Sequence, residues 1–159
     1  MLTEPSVSQL RVTLTSGLVL DAYGCTDRGR VCERNDDSFL VLADEPLFAV
    51  ADGVGGAPAG NVASAHVMAC LRSVFMCHRT APSTASSQEE RAAEMLQLAV
   101  QRAHLEIREL AKQNPSQRGM ASTVVALAAL GHCVVIGHLG DWVHIQDGHD
   151  YAASLTSFS

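Results

Sequence analysis

Lysine is almost missing from this sequence. The 159-residue chain carries one, Lys112, beside ten scattered arginines, and its seventeen acids leave a formal net charge of −6. Clustered Lys and Arg hold a phosphate backbone, so this balance argues against nucleic-acid or anionic-membrane partners. It also excludes a GxxxxGK[ST] phosphate loop, which sets a Lys beside its glycines. No CxxC pair occurs among Cys25, Cys32, Cys70, Cys77 and Cys133. An odd count at these spacings points to neither a disulfide framework nor a zinc site. Cys70 and Cys77, seven apart in a helical stretch, read as small buried hydrophobes on one face. A secretory leader is not indicated either, because Met1-Leu2-Thr3-Glu4-Pro5 sets an acid where positive charge belongs. The expectation is a reducing, cytoplasmic setting.

What is present fits one packed domain: 47% apolar and 18% charged residues in a length typical of a single domain. The stretch from Gly119 to Gly137 carries no formal charge and is long enough to span a bilayer. Gly131-His132 divides it into two valine-rich runs, so two strands joined by a tight turn fit better than one membrane helix.

Periodicity orders the rest. Leu10–Leu14 and Leu18–Tyr23 predict a strand pair about Thr15-Ser16-Gly17, and Ser38–Ala43 and Leu47–Ala51 a second pair. The second pair is so apolar that burial on both faces of its sheet is expected. From Pro58 to about His78, the spacing of Ala63, Val67, Cys70, Leu71 and Val74 predicts a helix with Pro58 in its first turn. A second helix is predicted from about Gln88 to Gln113, with Leu96, Ala99, Ala103, Ile107 and Leu110 on its stripe. Its early acids and late bases match the helix dipole, and Asn114-Pro115 ends it. Strands at Ala121–Leu130, Cys133–His138 and Trp142–Gln146 follow, the last before an Asp147-Gly148 hairpin turn. Strands, then two consecutive helices, then strands imply an α+β fold of layered antiparallel sheet and helix.

The polar residues gather at two points. Glu33-Arg34-Asn35-Asp36-Asp37 precedes one apolar strand, and Asp52-Gly53-Val54-Gly55-Gly56 ends the next. Each alone reads as turn chemistry. Together they bring Asp36, Asp37 and Asp52 to adjacent strand ends, where carboxylates repel unless a cation neutralises them. Hard divalent ions take oxygen ligands, and the bare backbone at Gly53 leaves a carbonyl within reach of one. A pair of such ions activates water for in-line attack on phosphorus. A dinucleotide loop is excluded, since Pro58 stands where G-x-G-x-x-G requires its third glycine.

These motifs resemble those of the PPM-type (type-2C) metal-dependent protein phosphatases, bacterial ones especially. Thr26–Val31 leading into Asn35-Asp36-Asp37-Ser38-Phe39 is similar to their opening motif, and Phe48–Gly56 to the second. Gly119-Met120-Ala121-Ser122-Thr123 is similar to their Gly-x-x-Thr strand, and His138-Leu139-Gly140-Asp141 to their Gly-Asp strand end. The resemblance implies a β-sandwich flanked by helices, a four-layer αββα fold, of which this chain lacks the C-terminal third. It implies a binuclear Mg²⁺ or Mn²⁺ centre hydrolysing phosphoserine and phosphothreonine in protein substrates, with a cognate Ser/Thr kinase as the opposing partner.

By position, the resemblance implies that Asp52 would bridge both ions and Gly53 would lend its carbonyl, that Asp36 stands in for the family's usual Glu, that Asp37 would order water, and that Asp141 matches a further metal ligand. Asp36, Asp37 and Asp52 are thus the expected catalytic group. Three departures accompany the match. Cys32 stands where the family has its phosphate-binding Arg, Trp142-Val143 replaces Ser-Arg, and two later metal-ligating aspartates are absent. They support an alternative, a truncated or degenerate phosphatase-like module that binds a partner without catalysis.

Overall fold

The structure is a computed structural model that describes residues 6–14, 16–17, 19–55, 59–78, 85–130, 132–140 and 152–157. Nine longer elements and short β5 follow one another among the described residues: β1 (Ser6–Thr13), β2 (Val19–Thr26), β3 (Asp37–Leu42), β4 (Leu47–Val54), α1 (Ala59–His78), α2 (Gln88–Gln113), β5 (Ala121–Ser122), β6 (Val124–Leu130), β7 (Cys133–Leu139) and β8 (Ala152–Ser157). β1 and β2 form an antiparallel hairpin. The main sheet runs β3-β4-β6-β7-β8, with β5 pairing beside the end of β4.

Cross-strand register decides which face each residue uses, because directly opposed residues share a face. Leu40 pairs with Ala49, and Ala126 with Gly137. Leu40, Ala49 and Ala126 turn toward the helices and are buried, together with Leu71, Phe75, Leu96 and Ala99. α1 packs on β3 and β4, α2 on β6 and β7, and the two helices pack on each other. The predicted stripes are the ones buried, from Ala63 to Val74 and from Leu96 to Ile107.

The ends of α2 follow from local chemistry. Ser87 caps it by accepting from the Glu90 N–H at 3.1 Å, while the Glu90 carboxylate accepts from the Ser86 N–H at 2.7 Å. The first bond satisfies a donor that the helix start leaves free, and the second ties the residue before the cap to the first turn. At the far end both the Asn114 amide N–H and its side-chain NH₂ donate to the Leu110 carbonyl, and Pro115 opens a 3₁₀ turn.

The opposite sheet face carries Phe39, Val50 and Val125 in one cross-strand row, and Val41, Phe48 and Leu127 in the next. Here the expectation of burial on both faces is corrected: Val50 is 58% exposed and Val54 50%. The reason is coverage, since the described residues set the β1–β2 hairpin over part of this face. Its Gly24 sits so close to the Phe39 ring that a Cβ there would stand 2.6 Å from it.

Other differences are local. β4 runs on to Val54 because Gly53 and Val54 find partners in β5. The uncharged stretch folds as β5, β6 and β7, and no helix among the described residues is long and apolar enough to cross a membrane. β8, whose small and polar residues gave no periodic signal, pairs parallel to β7. Cys70 is buried, but Cys77 is exposed, so the two do not share a buried face. The predicted strand Trp142–Gln146, its Asp147-Gly148 turn, and Pro58 lie outside the described residues.

Candidate functional site

The acidic site is built on the paired ends of β3 and β4. Asp37 and Asp52 are direct cross-strand partners, so both side chains leave the same sheet face, the one away from the helices. The Asp37 carboxyl is pushed above its ordinary range, first by desolvation, then by the Asp52 charge, the hydrogen bond the two share, and the Asp36 charge. Two carboxyls on one sheet face repel each other, so the pair is a place where a cation is favoured.

Several backbone clamps fix that pair. Asn35 accepts from the Asp37 N–H at 3.1 Å and donates from Nδ2 to Thr26 Oγ1 at 2.8 Å, tying the acids to the end of β2. Thr123 grips Asp52 twice: its Oγ1 accepts from the Asp52 N–H at 3.1 Å, and its N–H donates to the Asp52 carbonyl at 2.9 Å. Ser122 Oγ donates to the same carbonyl at 3.2 Å. Behind Thr123 stands Gly140, whose φ of +119° favours glycine and whose Cβ, if present, would lie 2.8 Å from the threonine methyl. These positioning roles escape a reading by residue type, although the Gly119–Thr123 motif marks the segment.

Asp36 turns elsewhere, toward the start of α1. Its Oδ1 accepts from the Asn61 N–H at 3.1 Å, and its carbonyl accepts from the Gly53 N–H at 3.0 Å. Gly60 makes this possible. A Cβ on Gly60 would lie 2.6 Å from the Gly53 carbonyl oxygen and 3.0 Å from Asp36 Oδ2, so both oxygens border one small space. A Cβ on Gly53 would collide with the Gly60 carbonyl. The structure thus gathers Asp37 with Asp52, and Asp36 with Gly53, on neighbouring sides of one strand end. The side-chain oxygens of all three aspartates do not close into one tight group. Among the described residues the mixed set of metal-ligating atoms within 4.8 Å of one another is His66, Cys70 and Glu106, between the helices. Asp141 lies outside the described residues.

An open cleft of about 530 Å³ runs from the acids along the exposed face, over Phe39, Val50 and Val125 and beside Cys25 and Thr26. Its described lining contains no Arg, Lys or His. Arg30 and Cys32 are exposed in the preceding loop, whose tip carries Val31 at 93% exposure. Arg34 is half-buried and does not line the cleft.

Comparison with known proteins fits this arrangement. The family model for Protein phosphatase 2C matches residues 26–157. The chain belongs to the protein phosphatase 2C family. Among the family's proteins, the Serine/threonine phosphatase stp of Listeria innocua is 35% identical over 119 residues, covering 73% of this chain and 45% of its own. The Serine/threonine protein phosphatase PstP of Mycobacterium tuberculosis is 32% identical over 127 residues, covering 78% of this chain and 22% of its own.

The crystal structure of M. tuberculosis PstP/Ppp superposes with a TM-score of 0.59 at 25% identity, over 87% of this chain and 47% of that one. The catalytic domain of PstP in complex with two manganese ions superposes at 0.58, also at 25% identity, over 87% of this chain and 48% of that one. This phosphatase-family chain spans less than half the length of these relatives.

Proposed function

We propose that the chain carries the acid-bearing part of a metal-dependent phosphoserine and phosphothreonine protein phosphatase site, within one helical layer and sheet of a four-layer αββα fold. The observation that carries this reading is the cross-strand pair Asp37–Asp52, two carboxyls leaving one sheet face, where desolvation and then the Asp52 charge raise the Asp37 proton affinity. The residues fit a hard divalent ion on a second count. Gly60 leaves open a space bordered by the Asp36 carboxylate and the Gly53 carbonyl, an all-oxygen donor set.

In this reading Asp52, Asp36 and the Gly53 carbonyl would hold the divalent ions, and Asp141 would hold a further one. When bound, Mg²⁺ or Mn²⁺ supplies Lewis acidity toward water and phosphate oxygens. The chain's own residues do the positioning. Thr123 and Ser122 fix the Asp52 backbone, Asn35 holds the Asp37 backbone, and Asp37 would order the reacting water. The apolar cleft receives the peptide flanking a phosphorylated residue. A cytoplasmic setting suits the five free cysteines, and a Ser/Thr kinase supplies the substrate. Phosphate release from a phosphothreonine peptide with Mn²⁺ tests the proposal. Asp52→Asn should lower turnover by ~10²-fold or more. Wild-type turnover no higher than that of the variant would refute catalysis by this chain.

A second reading, a non-catalytic binding module, is favoured by the absence of any basic side chain from the described cleft lining. It predicts phosphopeptide binding with no release of phosphate.

A further inference from the structure

Away from the acidic strand ends, α1 and α2 bring three donors of a different kind together. His66 and Cys70, one turn apart on α1, face Glu106 on α2. His66 Nε2 lies 2.6 Å from Glu106 Oε2, and the Cys70 thiol donates to that same oxygen at 3.7 Å. All three donor atoms fall within 4.8 Å of one another. From the structure we infer that His66, Cys70 and Glu106 form a site for a thiophilic divalent ion of the Zn²⁺ class, clamping α1 to α2.

Three arguments carry it. The first is donor chemistry: one thiolate, one imidazole and one carboxylate are a borderline-soft set that selects Zn²⁺ over Mg²⁺. The second is geometry. Zinc bonds of 2.0–2.3 Å in a tetrahedron set ligand atoms about 3.3–3.8 Å apart, so small rotamer adjustments at three side chains suffice. The third is the surroundings. Arg102 Nε donates to Glu106 Oε1 at 2.7 Å, so the outer oxygen is held and Oε2 is left facing Cys70 and His66. Such second contacts orient metal-binding carboxylates.

Cys70 is 3% exposed while the His66 and Glu106 side chains are 27% and 39% exposed, so the fourth position opens to water. Without an ion, burial and then Glu106 push the Cys70 thiol up to about 11. Binding therefore releases the Cys70 proton to solvent as the sulfur–metal bond forms, and the ring proton that His66 Nε2 donates to Glu106 moves to Nδ1, freeing the Nε2 lone pair for the ion. Ten residues of helix, ~15 Å, separate Cys70 from Gly60, so this site is distinct from the acidic one and independent of its function.

Co²⁺ titration of the chain carrying Cys25→Ser, Cys32→Ser and Cys77→Ser tests the inference, since these changes remove the exposed thiols. Expected are one tightly held Co²⁺ per chain with a thiolate-to-cobalt charge-transfer band and four-coordinate visible absorption, displaced by Zn²⁺, and a melting temperature raised by Zn²⁺. Adding Cys70→Ser should abolish the band. His66→Gln or Glu106→Gln should weaken Co²⁺ at least tenfold, and Asp52→Asn should leave it intact. No band, or a band that survives Cys70→Ser, would overturn the inference. If Cys70→Ser proves unfolded by circular dichroism, the two variants at the partly exposed positions decide: unchanged Co²⁺ affinity in both would overturn it.

Discussion

Asp37 and Glu106 titrate in opposite senses, and each gives a residue-scale prediction. Arg102 and then His66 hold Glu106 below its ordinary carboxyl range. Its stabilisation is therefore present above the unfolded value of 4.5 and is lost as pH falls through the lower folded value. Acid titration of stability in chelator should show that loss, and Glu106→Gln should flatten it. Asp37 is raised above 3.8, so the folded chain holds more protons there and loses stability as pH climbs through the window above that value. Asp52→Asn should stabilise the metal-free chain at neutral pH in a chemical denaturation, and in the proposed function it should also weaken Mn²⁺ binding. Gly60→Ala places a methyl between the Gly53 carbonyl and Asp36. A cost of about 1–3 kcal/mol in stability is expected, with weaker Mn²⁺ binding by calorimetry. The aspartates were legible because strand-end acids sit beside their strands in sequence. The zinc-class trio was not, because Glu106 lies on another helix and only folding brings it to His66 and Cys70.

At the scale of elements, α2 was the most legible. Its apolar stripe, acidic start and Asn-Pro stop all lie within one segment, and the structure runs from Gln88 to Gln113 as read. Ser87→Ala removes its capping acceptor and should cost ~1 kcal/mol in denaturant unfolding, with no effect on Co²⁺ or Mn²⁺ affinity. β8 was illegible for the opposite reason. Its partner β7 lies about a dozen residues away and runs parallel, and a short stretch of small residues carries no period that would announce such pairing. The end of β4 was read three residues short, since glycine and valine past Asp52 suggest a turn until β5 arrives beside them.

For the whole molecule, the helices and the sheet face beneath them supply the core. Phe75, 1% exposed among α1, α2 and the sheet, anchors it, and Phe75→Ala should cost about 3–5 kcal/mol in the same unfolding measurement. The two-sided burial expected of β3 and β4 fails because an apolar strand reports its affinity for a core but not whether a second layer stands over it. One further consequence lies in the contact of Gly140 with Thr123 and of Thr123 with Asp52. Three positions spread over most of the chain are stacked like links of a lever, from the tip of β7 to the acidic pair. An uncharged methyl at position 140, far from Asp52 in sequence, would tilt that lever and shift the Asp52 backbone, so damage at the Asp37–Asp52 pair can begin at a residue that bears no charge and touches neither carboxylate.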